Sequence, residues 1–300
     1  MNPQRKYPLL FLSMALLFIT SLVHLDRVFF KASKSFSPRF FYTCLPNDPK
    51  WDLKEPSTEE LALLDTILDQ KFHYLNKGAH CFAFMSEDEK YVIKLHRYAS
   101  HMRVFPWLTH PFSYQFSERR KKIKQHNFEI LNYNLANYKT SYENLKEESG
   151  LILVHINRTN NLKRTVTVVD KIKGEYTIPL DQVTFILQRK ADLIYPTLDK
   201  LYQEGQLSDA KQIVSQIIGL ISSCCEKGYI DQDPLLYKNY GLLGTQAIHI
   251  DIGDLIRDES VKEREARIAH VKELTRALEQ KIEQSYPKLL EHYNREINAL

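Results

Sequence analysis

The sequence predicts an α+β chain in which a smaller β-rich part, residues 61–176, precedes a helical part, residues 177–300. Two observations predict it. Runs that alternate apolar and polar residues, with turn residues between them, fill the first part, whereas the second reads at helical spacing. A third observation concerns the start of the chain, where an uncharged run over residues 8–25 follows Arg5 and Lys6. A helix of about 18 to 20 apolar residues spans a bilayer's hydrocarbon core. Residues 1–30 are therefore expected to be an uncleaved, single-pass membrane anchor that meets the lipid bilayer through residues 8–25. Basic flanks favour the cytoplasmic side, and Arg27, Lys31, Lys34 and Arg39 outnumber the basic residues before the run, which places the body there.

Composition excludes several classes. Nine glycines in 300 residues rule out collagen-like and glycine-linker chains, and a 43% apolar share is enough for a packed core. A net charge of +4 without a basic stripe interleaved with exposed aromatics speaks against nucleic acid. The cysteines Cys44, Cys81, Cys224 and Cys225 lack zinc-ligand spacing, since the adjacent pair would point to different faces of a helix.

The elements follow in order. Residues 31–60 are polar and proline-marked and read as a linker. STEELALLDTILDQKF begins with Ser57 and has Glu60 three residues on, the signature of a capped helix start. HYLNKGAHCFAFMSEDEKYVIKLHRY alternates, turns at SEDEK and alternates again, which predicts a hairpin of two strands. A basic helix is expected from Ser117 to Asn137, its run Arg119 to Lys124 forming a solvated face. LILVHINRT and LKRTVTVVDKIKG read as two β-branched strands. From there LDQVTFILQRKADLIYPTLDKLYQEG and LSDAKQIVSQIIGLISSCCEKG read as helices, and a charged amphipathic helix closes the chain from Glu259.

Between the last two helices lie GYIDQDPLLYKNYGLL, residues 228–243, and AIHIDIGDL, residues 247–255. They gather Asp231, Asp233, Asn239 and Asp251. Carboxylate and amide oxygens so grouped can hold a hard cation. They can equally cap turns, as Gly78 can be a plain turn glycine and Lys94 a surface lysine. A further alternative takes Asp231-Gln232-Asp233 as the metal-binding Asp-x-Asp of a single-span glycosyltransferase.

Taken together these motifs resemble the protein-kinase-like superfamily. Leu75-Asn76-Lys77-Gly78-Ala79-His80-Cys81-Phe82-Ala83-Phe84 is similar to its glycine-rich loop, with Gly78 alone of the three usual glycines. Tyr91-Val92-Ile93-Lys94 resembles the strand with the phosphate-binding lysine, Asp233 and Asn239 the catalytic loop, and Asp251-Ile252-Gly253 the metal-binding turn. The resemblance implies a two-lobed fold with a small antiparallel β-sheet N-lobe and a shortened helical C-lobe. It implies ATP and Mg2+ as cofactors and an unidentified hydroxyl acceptor or protein partner. Lys94 would hold the phosphates and Asp251 the metal. Asn239 would bind a second metal or orient the loop, and Asp233 would accept the hydroxyl proton, with Asp231 as a competing base. Glu129, or alternatively Glu118, would pair with Lys94. Asp231-Gln232 replaces the usual His-Arg pair, and no Ala-Pro-Glu segment follows Asp251. These departures make the chain more similar to small-molecule and lipopolysaccharide kinases than to regulated protein kinases. They also raise the alternative of a pseudokinase scaffold without turnover.

Overall fold

The computed structural model describes residues 6–32, 36–43, 45–98, 114–233 and 235–300. Cys44 and Pro234 lie outside the described residues, as do the side chains of Glu118, Arg119 and Arg120.

The first helix, α1 (Lys6–Ala32), occupies the expected anchor. The membrane expectation is nevertheless overturned: among the described residues no helix is long and apolar enough to cross a membrane. Ser13, Thr20, Ser21 and His24 interrupt its apolar residues. The expected single-pass placement in a membrane falls with it.

Residues expected to be a linker belong to the fold. Phe36 and Phe41 are buried against Phe82, and Asn157 Nδ2 donates to the Asp48 carbonyl at 2.9 Å. Helix α2 (Thr58–Leu68) starts at the foreseen capping box, in which Ser57 and Glu60 each accept the other's backbone N–H.

Strands β1 (Lys71–Lys77), β2 (Cys81–Ser86) and β3 (Tyr91–His96) follow, three strands where two were expected. The extra reversal lies at Gly78, whose N–H closes on the Cys81 carbonyl at 2.9 Å. Helix α3 (Tyr114–Asn144) and the short α4 (Lys146–Ser149) lead to β4 (Leu151–His155), β5 (Thr165–Val169) and β6 (Glu175–Pro179). Then comes β7 (Phe185–Arg189), within a run expected to be helical. Four of its five residues are buried, so it carries no alternation to distinguish it from a buried helix.

These seven strands form one sheet in the order β4-β7-β3-β2-β1-β5-β6. It is neither small nor wholly antiparallel, which corrects the expected N-lobe: β5 runs parallel to β1, because the chain leaves β4 at one side of the sheet and returns beyond β1. The sheet also continues past residue 176, the expected end of the β-rich part. Alternation gives it two faces. Phe82, Phe84, Ile93 and Leu95 pack with Leu64 and Ile67 of α2 in one core, while Ala83 and Lys94, paired in register, share the other face.

The remaining elements build the second core. They are β8 (Asp192–Leu193), α5 (Ile194–Gln203), α6 (Leu207–Glu226), β9 (Tyr229–Asp231), α7 (Leu236–Asn239), β10 (Tyr240–Leu243), β11 (Gln246–His249), β12 (Leu255–Arg257), α8 (Arg264–Ser285) and α9 (Leu290–Ala299). Helix α6 buries Ile213, Val214, Ile217, Ile221 and Cys225 along one stripe, against which α8 presents Val271, Leu274, Leu278 and Ile282. Strand β9 pairs antiparallel with β12. Asp231 therefore does not end a strand of a parallel sheet, the context the glycosyltransferase alternative required.

Candidate functional site

The site forms where the second face of the large sheet meets two turns of the helical part. Lys94 stands on β3 between Ala83 of β2 and Ile186 of β7. Its Nζ donates to the backbone carbonyl of Ile250, which immediately precedes Asp251. A lysine and an acidic turn 156 residues apart are thus in direct contact.

The β10–β11 hairpin holds Asn239 at its entry and Asp251 just beyond its exit. The Asn239 carbonyl accepts from the N–H groups of Ile250 at 2.7 Å and Asp251 at 3.2 Å, so the two candidate cation ligands are locked by backbone bonds. Asn239 is buried. Its Nδ2 donates to the Asp233 carbonyl at 3.1 Å, and its Oδ1 has no hydrogen-bond partner among the described residues. Asp251 is exposed beside it.

Asp231 and Asp233 differ in environment. Asp231 is buried, its Oδ1 accepts the Asp233 N–H at 2.9 Å, and its Oδ2 lies 3.1 Å from His249 Nε2. A carboxylate so enclosed does not reach a substrate, which removes Asp231 as a competing base. Asp233 is half-buried, and the bonds that shape its turn use its backbone N–H and carbonyl rather than its carboxylate.

The second turn is tied to its surroundings from two sides. Gln232 N–H donates to the Asp254 carbonyl at 3.1 Å, and Asn137 of α3 donates through Nδ2 to the Gly253 carbonyl. Helix α3 thereby presents Asn134, Asn137 and Tyr138 as its buried polar and aromatic face. Glu129 is exposed instead, its Oε1 taking Gln125 Nε2 at 2.8 Å, so the expected pair with Lys94 is not formed. The 31-residue helix sets its inward face by a 3.6-residue repeat, and Glu129 falls outside it.

Gly78 sits in the β1–β2 turn, where Arg97 leans on the carbonyls of Gly78 and Ala79 at 3.4 Å each. His80 follows. Burial pushes its pKa below the ordinary histidine value, against the pull of the Asp254 and Asp251 charges. Asp254 is pushed above the ordinary carboxylate value by burial and then by the neighbouring charges of Asp251, Asp231 and Asp233. Asp254 therefore feels the charges of three other aspartates at this site. Asp254, His249, His80 and Asn137 were not singled out from the sequence. The alternation in Ala247-Ile248-His249-Ile250-Asp251 is the one signal that could have found His249, because it puts His249 and Asp251 on the same side of a strand.

Among the described residues no group of three or more His, Cys, Asp or Glu side chains is set to hold a metal by itself. Magnesium commonly takes one or two protein oxygens and completes its shell with phosphates and water. The exposed Asp251 carboxylate and the unpartnered Asn239 Oδ1 fit that requirement.

No family model matches the chain, and no curated protein matches it. Among solved structures it is similar to the bifunctional kinase-methyltransferase WbdD, at 15% identity over 73% of this chain and 43% of that one, with a TM-score of 0.33. WbdD with the kinase inhibitor LY294002 gives 16% identity, 75% and 45% coverage and a TM-score of 0.31. Rv3197 with erythromycin, from Mycobacterium tuberculosis, gives 10% identity, 95% and 82% coverage and a TM-score of 0.30. The chain spans less than half the length of the WbdD chains it matches. Superpositions this loose carry no weight for function, and the chemistry rests on the contacts of Lys94, Asp233, Asn239 and Asp251.

Proposed function

We propose that the chain is a kinase-like phosphotransferase that takes ATP and magnesium and transfers phosphate to a hydroxyl acceptor. The observation that carries this reading is the contact of Lys94 Nζ with the Ile250 carbonyl, next to Asp251. An ammonium on the large sheet touches the turn that carries Asp251, a juxtaposition suited to a polyphosphate and its cation. Lys94 holds the phosphates as a point charge, and Asp251 with Asn239 Oδ1 holds the magnesium. Bound magnesium supplies neutralisation of phosphate charge. Asp233, its carboxylate unused by its own turn, accepts the proton of the acceptor hydroxyl as that oxygen bonds to phosphorus and the bond to the nucleotide diphosphate breaks.

One observation favours a second reading, a nucleotide-binding scaffold without turnover. Active protein kinases require a lysine–glutamate ion pair, whereas Lys94 here has a neutral carbonyl partner. A thermal-shift titration with ATP, with and without magnesium, tests the site under both readings. A ligand at 100 times its Kd stabilises the native state by about 2.7 kcal/mol. Asp251→Ala is expected to remove the magnesium-dependent part of the shift while the protein stays folded, and a wild-type shift in that variant rules the site out. Release of labelled phosphate separates transfer from binding alone.

A further inference from the structure

We propose that His249 is a positioning residue that, through Asp231, holds the turn of Asp233 in register with the turn of Asp251. The inference rests on the phosphotransferase reading and adds a residue to its machinery. Asp231 closes β9 and His249 closes β11, two strands in different sheets. Their side chains are 2% exposed each and approach to 3.1 Å between Oδ2 and Nε2, in contact but not aligned as a hydrogen bond. The other oxygen of Asp231 fixes the Asp233 N–H, so the rotamer of Asp231 decides where the Asp233 turn lies. The His249 ring stacks on Tyr240 at 4.6 Å and 18° between planes, and Tyr240, the residue after Asn239, also lies against Asp231. Two residues beyond His249 is Asp251. One imidazole is therefore linked, by contact or by a short step along the chain, to the turns of Asp233, Asn239 and Asp251.

Backbone bonds alone do not provide this. The pairs from Gln232 to Asp254 and from Ile250 to Asn239 join the turns, but neither constrains the Asp231 carboxylate or the turn it shapes.

The test uses the full chain with His249→Gln, which keeps a hydrogen-bond donor, and Asp231→Asn, which keeps the shape of the carboxylate. Amide hydrogen exchange is read at residues 231–239 and 249–254, with β2 and β3 as internal control. Expected in each variant is at least a tenfold rise in exchange in both turns and none in the control strands. Phosphate transfer should lose at least tenfold in kcat while KM for ATP stays within twofold, and the double variant should lose no more than the worse single one. Unchanged exchange in the turns, or a rise spread equally through the control strands, overturns the positioning role. So does failure of both variants to fold, since the pair would then be structural. Absence of any magnesium–ATP shift in the wild-type protein would instead remove the phosphotransferase reading, and the exchange result would still decide the tether.

Discussion

Gly241 offers the sharpest test of how the elements beside Lys94 and Asp251 are packed. It lies in β10 opposite β8, and a Cβ placed on it would meet Ala191 Cβ at 2.6 Å, the Asp192 carbonyl at 3.0 Å and Ile250 Cγ2 at 3.4 Å. The first two contacts are with backbone or a Cβ fixed to it, so neither can swing aside. Overpacking of this kind costs about 1–3 kcal/mol. Against it, replacing glycine restricts the unfolded chain and returns about 0.4–1 kcal/mol. Gly241→Ala should therefore lose about 1–2 kcal/mol, which at a urea slope of about 3 kcal/mol per molar lowers the unfolding midpoint by about 0.3–0.7 M. The strain also reaches Ile250, whose carbonyl receives Lys94, so the magnesium–ATP shift should shrink in parallel. Gly219, inside α6 with nothing within 4 Å of its Cβ position, is the control. Gly219→Ala should raise stability by about 0.5–1 kcal/mol through helix propensity. A Gly241→Ala midpoint at or above that of the wild type would refute the close approach of β10 to the β7–β8 connection.

Two further predictions concern buried titratable groups. Burial pushes the His155 pKa below its ordinary 6.5, although the Val183 carbonyl pulls it upward, and the ring also contacts Thr159 Oγ1 at 3.0 Å. A folded pKa below the unfolded one means that its stabilisation is complete above pH 6.5 and is lost as pH falls through the folded value. The urea midpoint should fall from about pH 7.5 to about pH 5.5, and His155→Gln should reduce that fall; an unchanged fall in the variant would exclude His155 as a source. The thiols of Cys81 and Cys225 are each pushed up to about 11 by burial, and Cys224 is also pushed upward. All three should resist alkylation in the native protein and react in denaturant, as mass-spectrometric mapping can show, because the thiolate is the reactive form.

Local chemistry was legible in the sequence and long-range register was not. The Ser57–Glu60 box and the order of lysine, helix, loop and acidic turn are set by neighbouring residues. Strand β7 escaped because a central strand buried on both faces has no alternation. The parallel placement of β5 beside β1 escaped because nothing in Thr165–Val169 encodes its partner. Residues 31–60 read as a linker from their prolines, although Phe36 and Phe41 are core residues. In the site, Glu129 was selected by charge and position in a helix, yet which helical face turns inward depends on packing against the sheet. His249 escaped for a related reason: its importance comes from Asp231, eighteen residues away in the chain and in another sheet.

The partner of Lys94 bears on how the proposed site would admit a ligand. Had the ammonium been paired with a buried carboxylate, separating the two would leave an uncompensated charge, at a cost of about 3–5 kcal/mol. The Ile250 carbonyl is neutral, and a hydrogen bond from a charged donor to such a group contributes about 1.5–3 kcal/mol. A phosphate oxygen returns at least that much in a charge-assisted bond, so exchange of the carbonyl for phosphate proceeds without an unpaired charge on either side. The carbonyl released by Lys94 belongs to the residue before Asp251, which links entry of an anion to the turn that would hold its cation.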